Sequence, residues 1–404
     1  MNDETDAWAA SALSVREALR DAADSEVETG TTPDSETGTA VATVVAVEGS
    51  AYRRPGAKRV LGDEAVGAIT AGCLEGPVAD LAERALAEGA LCETFDLTGE
   101  DESWGFGLGC NGVIDVLVEP ADRSFLPALE RVAAGERVSL LTVVGGDHPD
   151  APVGARALVG ADGDAADGDV ARSDSRLAFR DSQPALPDDL LAAVRERARE
   201  FAVAGRSDTL RVETDRGTAS VFVDGLEPVP ELLVFGHGAD VRPVARLARD
   251  AGFRVTVAAA RGARAEAEQF SAAHEVVATR PPDVAEAVSR PADTYAVLMS
   301  HNFVDDRLAL EALLATEVPY VGLMGPRKRF DQMREALADA GVELSVGDRE
   351  RISTPVGLDV GGGEPAQIAL SVVGEVLAVS NGREGGRLTD SEGPIHPRSE
   401  VESD

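Results

Sequence analysis

The pattern of apolar and polar positions changes character near residue 230. Ahead of it, apolar runs of strand length are spaced irregularly between loops, whereas from Glu231 onward short apolar runs alternate with amphipathic segments. The chain opens with an amphipathic helix over residues 8–21, carrying Leu13, Val15 and Leu19 among polar neighbours. The acidic Ser/Thr/Gly stretch from Asp24 to Thr39 reads as a loop. Ala40 to Val47 is a continuous apolar run of strand length, closed by Glu48-Gly49-Ser50. Further strands are expected near 65–70, 92–97, 113–118 and 138–144, and helices around Val78 to Leu86, 126–134 and 190–201. Pro77 suits a first helical turn, where its missing N–H is unpaired in any case. Thr209 to Val223 alternates around Asp215-Arg216-Gly217 as a hairpin does.

Pro228-Val229-Pro230 marks a boundary. Beyond it, strands at 232–235, 254–258, 296–299 and 320–323 alternate with helices at 241–251, 264–268, 284–289, 307–315, 328–340 and 365–378. Strict alternation argues for a parallel sheet with helices on both faces. The expected fold class is therefore α/β: an N-terminal α+β domain followed by a Rossmann-like parallel sheet domain. The segments are residues 1–39 (helix and acidic loop), 40–228 (first domain, with a solvated Asp/Ala/Gly insertion near 161–175), 231–380 (second domain) and a disordered acidic tail, 381–404.

Charge narrows the partners. The 404 residues include 72 Asp plus Glu against 38 Lys plus Arg, a formal charge of −34, and the only lysines are Lys58 and Lys328. Nucleic-acid affinity rests on clustered cations neutralising phosphates, so that partner class is excluded. Such an excess of carboxylates implies a high-salt cytoplasm, where screening over about 3 Å at molar salt quiets repulsion. No run reaches the length of a membrane-spanning helix, and the N-terminus is acidic, so a soluble cytoplasmic protein is expected. Cys73, Cys92 and Cys110 form no C-x-x-C pair, which argues against a disulfide framework or a structural zinc.

Against this acidic background, the segment 52–59 concentrates Arg53, Arg54, Lys58 and Arg59. Gly236-His237-Gly238 follows a strand and opens a helix, the setting in which glycines let amides approach a phosphate. The dinucleotide fingerprint is incomplete: no third small residue follows in place, and the second strand runs into Ala258-Ala259-Ala260 where a ribose-binding acid is expected. A Rossmann-like turn that binds no nucleotide and an NAD(P) site both remain open. Ser300-His301-Asn302 with Asp305-Asp306, Gly325-Pro326-Arg327-Lys328-Arg329 and Gly361-Gly362-Gly363 fall after predicted strands, where open parallel sheets place their ligand crevice, and together describe an anion pocket. His301 is either a buried hydrogen-bonded loop residue or ligand-facing, and Arg327 to Arg329 either a solvated helix start or phosphate-binding. Cys110, between Gly109 and Asn111-Gly112, is either a small buried hydrophobe or a thiolate that meets a partner or metal; Cys92 has the weaker claim.

Taken together, these motifs resemble the xanthine dehydrogenase accessory (XdhC/CoxI) family over most of residues 40–380. The resemblance rests on Glu48-Gly49-Ser50, Arg53 with Pro55-Gly56-Ala57, Gly72-Cys73-Leu74-Glu75-Gly76, Gly107-Leu108-Gly109-Cys110, Leu232 to Gly236, Met299 to Phe303 with Asp305-Asp306, Tyr320 to Arg327, and Pro355 to Val360. It implies a chaperone that binds molybdenum cofactor (molybdopterin), holds it while a cysteine desulfurase installs the terminal sulfido ligand, and passes it to a molybdenum hydroxylase apo-enzyme; a homodimer is consistent with it. It further implies Cys110 at the cofactor or a persulfide, and Arg53, Arg54 and Lys58 beside an anionic group. Ser50, Cys73, Glu75 and Gly109 are further cofactor-binding candidates, while Gly236, Gly238, His301, Asn302, Asp305, Arg327, Gly361 and Gly362 hold the pterin phosphate. Three departures bear on the site. Asn111 replaces a glycine after the cysteine, the second-domain turn reads Gly-His-Gly-Ala, and Ala259 stands where an acid is expected. The rival readings are an NAD(P)-dependent oxidoreductase with His301 as proton donor and a ligand-free interaction scaffold.

Overall fold

A computed structural model describes residues 10–29, 38–98, 111–161, 184–260 and 266–390. The chain divides into two compact units, Met1–Pro228 and Val229–Asp404. In the first, helix α1 (Ala12–Thr29) runs eight residues past the expected end at 21, because no glycine or proline interrupts it before Gly30. Then follow β1 (Ala40–Ser50), β2 (Lys58–Leu61), β3 (Val66–Gly67), α2 (Glu75–Glu88), β4 (Leu91–Asp96), β5 (Asn111–Pro120), α3 (Leu126–Ala133), β6 (Val138–Gly146), β7 (Arg156–Gly160), α4 (Asp188–Ala204), β8 (Ser207–Thr214) and β9 (Gly217–Leu226).

These strands build a five-stranded sheet in the order β3-β2-β1-β5-β4 and a four-stranded sheet in the order β7-β6-β9-β8. The apolar run at 40–45 is buried throughout, which makes β1 a central strand, paired antiparallel to both β2 and β5. Val45, Leu117, Val144 and Phe222 join the two sheets in one apolar cluster, and Thr209 Oγ1 donates to Val45 O at 2.8 Å. Two buried ion pairs add to this joint. Lys58 Nζ lies 2.5 Å from Asp224 Oδ2 across the sheets, and the fully buried Arg156 pairs with Glu119 beneath the Phe125 ring. The residues of the expected insertion from 162 to 175 lie outside those described.

The second unit contains β10 (Glu231–Phe235), α5 (Val241–Asp250), β11 (Arg254–Ala259), β12 (Glu275–Ala278), β13 (Thr294–Leu298), α6 (Phe303–Leu314), β14 (Tyr320–Leu323), α7 (Arg327–Asp339), α8 (Val346–Glu350), β15 (Ile352–Ser353) and α9 (Pro365–Ser380). All five pairings in the order β12-β11-β10-β13-β14-β15 are parallel. Strand alternation sorts the core: Leu232, Val234, Val255 and Val257 face α5 and α9, while Leu233, Phe235, Ala296 and Leu298 face α6 and α7. The helix expected at 284–289 is instead a 3₁₀ segment, Pro281–Ala287. Of the helix expected at 264–268, positions 264 and 265 lie outside the described residues, and a 3₁₀ turn runs from Ala267 to Phe270. After Asn381 the described part of the expected disordered tail turns back, with Arg383 N donating to Ala378 O at 2.8 Å, and ends in a 3₁₀ turn at Leu388–Asp390; residues 391–404 are not described.

His274 ties two strands of this sheet, since its Nδ1 accepts from Val255 N at 2.9 Å. Desolvation, then the charges of Arg249 and Arg254, hold its pKa down from 6.5 to about 4. A base whose folded pKa is depressed contributes stability above its unfolded value and loses it as protons bind. The thermal midpoint should therefore fall as pH drops from 6.5 towards 4, and His274→Asn, which keeps an acceptor for Val255, should flatten that part of the curve.

Candidate functional site

The carboxyl ends of β10, β13 and β14 open onto three loops that the structure locks together. Gly236 N donates to Ala258 O at 3.0 Å and Met299 N to Phe235 O at 2.9 Å, and a Cβ on Gly236 would stand 2.8 Å from Met299 O. Only glycine permits that approach. His301 is the only described non-glycine residue with positive φ, at 60°, and its Nε2 lies 2.7 Å from Asp240 Oδ2. Its side chain is 57% exposed, so the buried alternative is corrected: the αL backbone turns the ring outward over Gly238. Below the loops, the fully buried Asp306 carboxylate accepts from Ser300 N at 3.2 Å, Ser300 Oγ at 2.5 Å and Arg329 at 2.7 Å. Arg329 also donates to Met324 O at 2.9 Å. One member of the three-cation run is thus turned into the structure, leaving Arg327 and Lys328 exposed.

The helix N-termini along this edge differ in what their amides still offer. At α6, Asn302 Oδ1 accepts from Val304 N and Asp305 N, and Asp305 and Asp306 occupy the first turn, so this end is already neutralised. At α9, Gln367 Oε1 accepts from Gly363 N and Glu364 N, which commits the amides following Gly361 and Gly362. At α5, Val241 N and Arg242 N bond to Gly238 O and Ala239 O. Helix α7 begins after Pro326 with no side-chain cap, and its first two residues are the exposed Arg327 and Lys328. Open amides beside free cations are the anion-binding combination on this edge. The neighbouring loop 353–358 is stapled to α9: Glu375 accepts from Ser353 Oγ at 2.5 Å and from Gly357 N, and Ser371 Oγ donates to Leu358 O at 2.5 Å.

In the first unit, Ser50 ends β1 opposite Asn111, and Gly49 faces Gly112, where a Cβ would stand 2.5 Å from Glu48 O. Gly109 and Cys110 lie outside the described residues. Half-buried Cys73 packs with Ala51 and Ala57 on one apolar cluster, and Glu75, first residue of α2, pairs with Arg59 at 2.7 Å. The expectation that Lys58 attends an anion is corrected. Its ammonium is turned inward to Asp224, whose other oxygen accepts from Ser207 Oγ at 2.7 Å. Arg53 and Arg54 stay exposed in the turn after β1. Cys92 is exposed as a residue, yet its thiol is pushed up to about 12, first by desolvation and then by Asp115 and Glu119, which keeps it protonated and inert. Among the described residues no group of three or more His, Cys, Asp or Glu is placed to hold a metal ion, and no helix is long and apolar enough to cross a membrane.

Sequence reasoning did not single out Asp240 or Glu375, and it read Arg329 as a solvated or phosphate-binding cation rather than as the partner of Asp306. Each acts through a partner distant in sequence, 61 residues for Asp240 and His301, 23 for Arg329 and Asp306, 18 for Glu375 and Gly357, so no local spacing announces it.

Comparison with known proteins places these features. Residues 232–376 match the XdhC Rossmann domain and residues 34–96 match the XdhC and CoxI family. A Bacillus subtilis protein described as a probable xanthine dehydrogenase subunit is 27% identical over 361 residues, covering 83% of this chain and 92% of that one. YqeB of Escherichia coli is 28% identical over 193 residues, which span 45% of this chain and 32% of that protein. A crystal structure from Bacillus halodurans, described as a xanthine dehydrogenase, superposes with a TM-score of 0.65 at 24% identity, covering 93% of this chain and 98% of that chain, and shares the fold. With both family domains matched in order along one chain, the protein belongs to the XdhC and CoxI family.

Proposed function

We propose that this protein is a maturation factor that binds molybdenum cofactor, holds it while a cysteine desulfurase supplies the terminal sulfur, and delivers it to an apo-enzyme of the xanthine dehydrogenase, aldehyde oxidase or CO dehydrogenase type. The observation that supports this reading is the uncapped start of α7, with Arg327 and Lys328 exposed on the matched XdhC Rossmann domain. Molybdopterin ends in a phosphate, and that donor set fits one: two amides and two cations that no carboxylate among the described residues pairs with. When bound, the group supplies the molybdenum whose sulfido ligand the client enzyme needs. This chain's residues do the holding. Arg327 and Lys328 bind the anionic end, Asp306 and Arg329 fix the floor beneath, and Asp240 orients His301 at the rim.

Cys110 remains our proposed soft contact to the metal or carrier of a persulfide. An NAD(P)-dependent oxidoreductase is the weaker reading, because β11 ends in Ala258-Ala259 with no carboxylate to hold a ribose. The test is expression in a molybdopterin-producing host, with bound pterin assayed by oxidation to its fluorescent derivative beside elemental molybdenum. Near-stoichiometric pterin is expected, with Cys110→Ala retaining pterin but losing client activation. A folded protein free of pterin and molybdenum overturns the chaperone reading, and a Cys110→Ala variant that activates its client fully removes the thiol from it.

A further inference from the structure

Helix α5 buries Val241, Val244, Ala245 and Ala248 against the sheet. Its opposite face carries Arg242, Arg246 and Arg249, at i, i+4 and i+7, all exposed. Several other arginines of this unit are matched with carboxylates, Arg280 with Asp283, Arg290 with Glu231, Arg307 with Glu311, Arg329 with Asp306 and Arg351 with Asp348. Among the described residues none of the three on α5 has a carboxylate partner, although acidic residues outnumber basic ones 72 to 38 in the chain. Asp250, at the end of the same helix, makes no ion pair with them. Like charges at these spacings oppose one another only weakly along a helix, by about what Arg249 recovers in the last turn against the helix dipole.

The row borders a groove of about 250 Å³ lined by Arg242, Pro243, Arg246, Gln269, Phe270 and Ser271. We propose that this face of α5 is a docking surface for an acidic segment of a partner protein, an inference independent of the cofactor crevice.

Charge complementarity sets the occupant. Seven residues of helix rise about 10 Å, which matches three or four residues of extended peptide with carboxylates on one side. Guanidinium forks bind carboxylates in bidentate pairs. A nucleic acid meets the same arginines but continues as a polyanion across a surface of charge −34, whereas a short acidic segment ends within the positive patch.

The test uses the full chain and a fluorescein-labelled peptide with glutamate at alternate positions, followed by anisotropy near physiological ionic strength. Saturable binding is expected, weakened by at least about tenfold in R242E/R246E/R249E and in the milder R242Q/R246Q/R249Q, with circular dichroism and thermal midpoint unchanged. A peptide with lysine in place of glutamate should bind the charge-reversed variant more tightly than the native protein, above the attraction that a chain of charge −34 exerts on any cation. Absence of saturable binding by folded native protein, undiminished binding by the variants, or equal competition by an oligonucleotide of matched charge would each overturn the proposal.

Discussion

Arg156→Met is expected to destabilise the protein by about 3–5 kcal/mol, read as a shift of the denaturant midpoint. Arg156 and Glu119 are both buried, with 0% and 3% of their side chains exposed, and each is the other's counter-ion. Desolvation pushes the Glu119 carboxyl up, and Arg156 is the leading influence drawing it back down. Removing the guanidinium strands that carboxylate beside Asp122, and also forfeits the stacking of Arg156 over Phe125 at 4.1 Å and its bond to Ser124 Oγ. The double change Arg156→Met with Glu119→Leu removes the uncompensated charge and should recover most of the loss. A single variant as stable as the native protein would show that the pair contributes packing alone.

Charge reversal at the start of α7, R327E/K328E, should lower retained pterin by about a hundredfold while leaving the thermal midpoint within a degree or two. Each charge-assisted hydrogen bond to a phosphate contributes about 1.5–3 kcal/mol, so losing two and adding repulsion exceeds two decades of affinity. Both side chains are exposed and the helix continues beneath them to Asp339, so the fold has little reason to respond. Equal pterin content in the variant and the native protein would move the phosphate to another part of the crevice.

The second unit was largely legible because parallel strands are buried on both faces and read as short apolar runs: Leu232 to Phe235 and Tyr320 to Leu323 fall where the runs place them. Four strands escaped. Lys58–Leu61 opens with two cations, Arg156–Gly160 opens with a charged residue that only its buried partner explains, Glu275–Ala278 is a four-residue edge strand, and Ile352–Ser353 is too short to carry a pattern. At the candidate site the glycines and cations were visible as composition, but their allegiance was not. Lys58 and Arg329 look in sequence like their neighbours Arg53 and Arg327, and only tertiary structure shows that Asp224 and Asp306 claim them. The capping roles of Asn302 and Gln367, which close two helix ends and leave a third open, likewise depend on side-chain direction rather than residue type.

The pairing of the central strand β1 bears on how this protein can be divided. The segment matched to the XdhC and CoxI family ends at residue 96, yet one neighbour of β1 is β5, at 111–120, and Lys58 finds its counter-ion at Asp224. A fragment cut at the end of that match would expose one whole edge of β1 and strand a buried ammonium, inviting intermolecular strand addition. The span of that family match is therefore smaller than the compact unit whose strands it shares, and any exchange of modules with a relative has to carry residues through Leu226 to keep β1 paired and Lys58 matched.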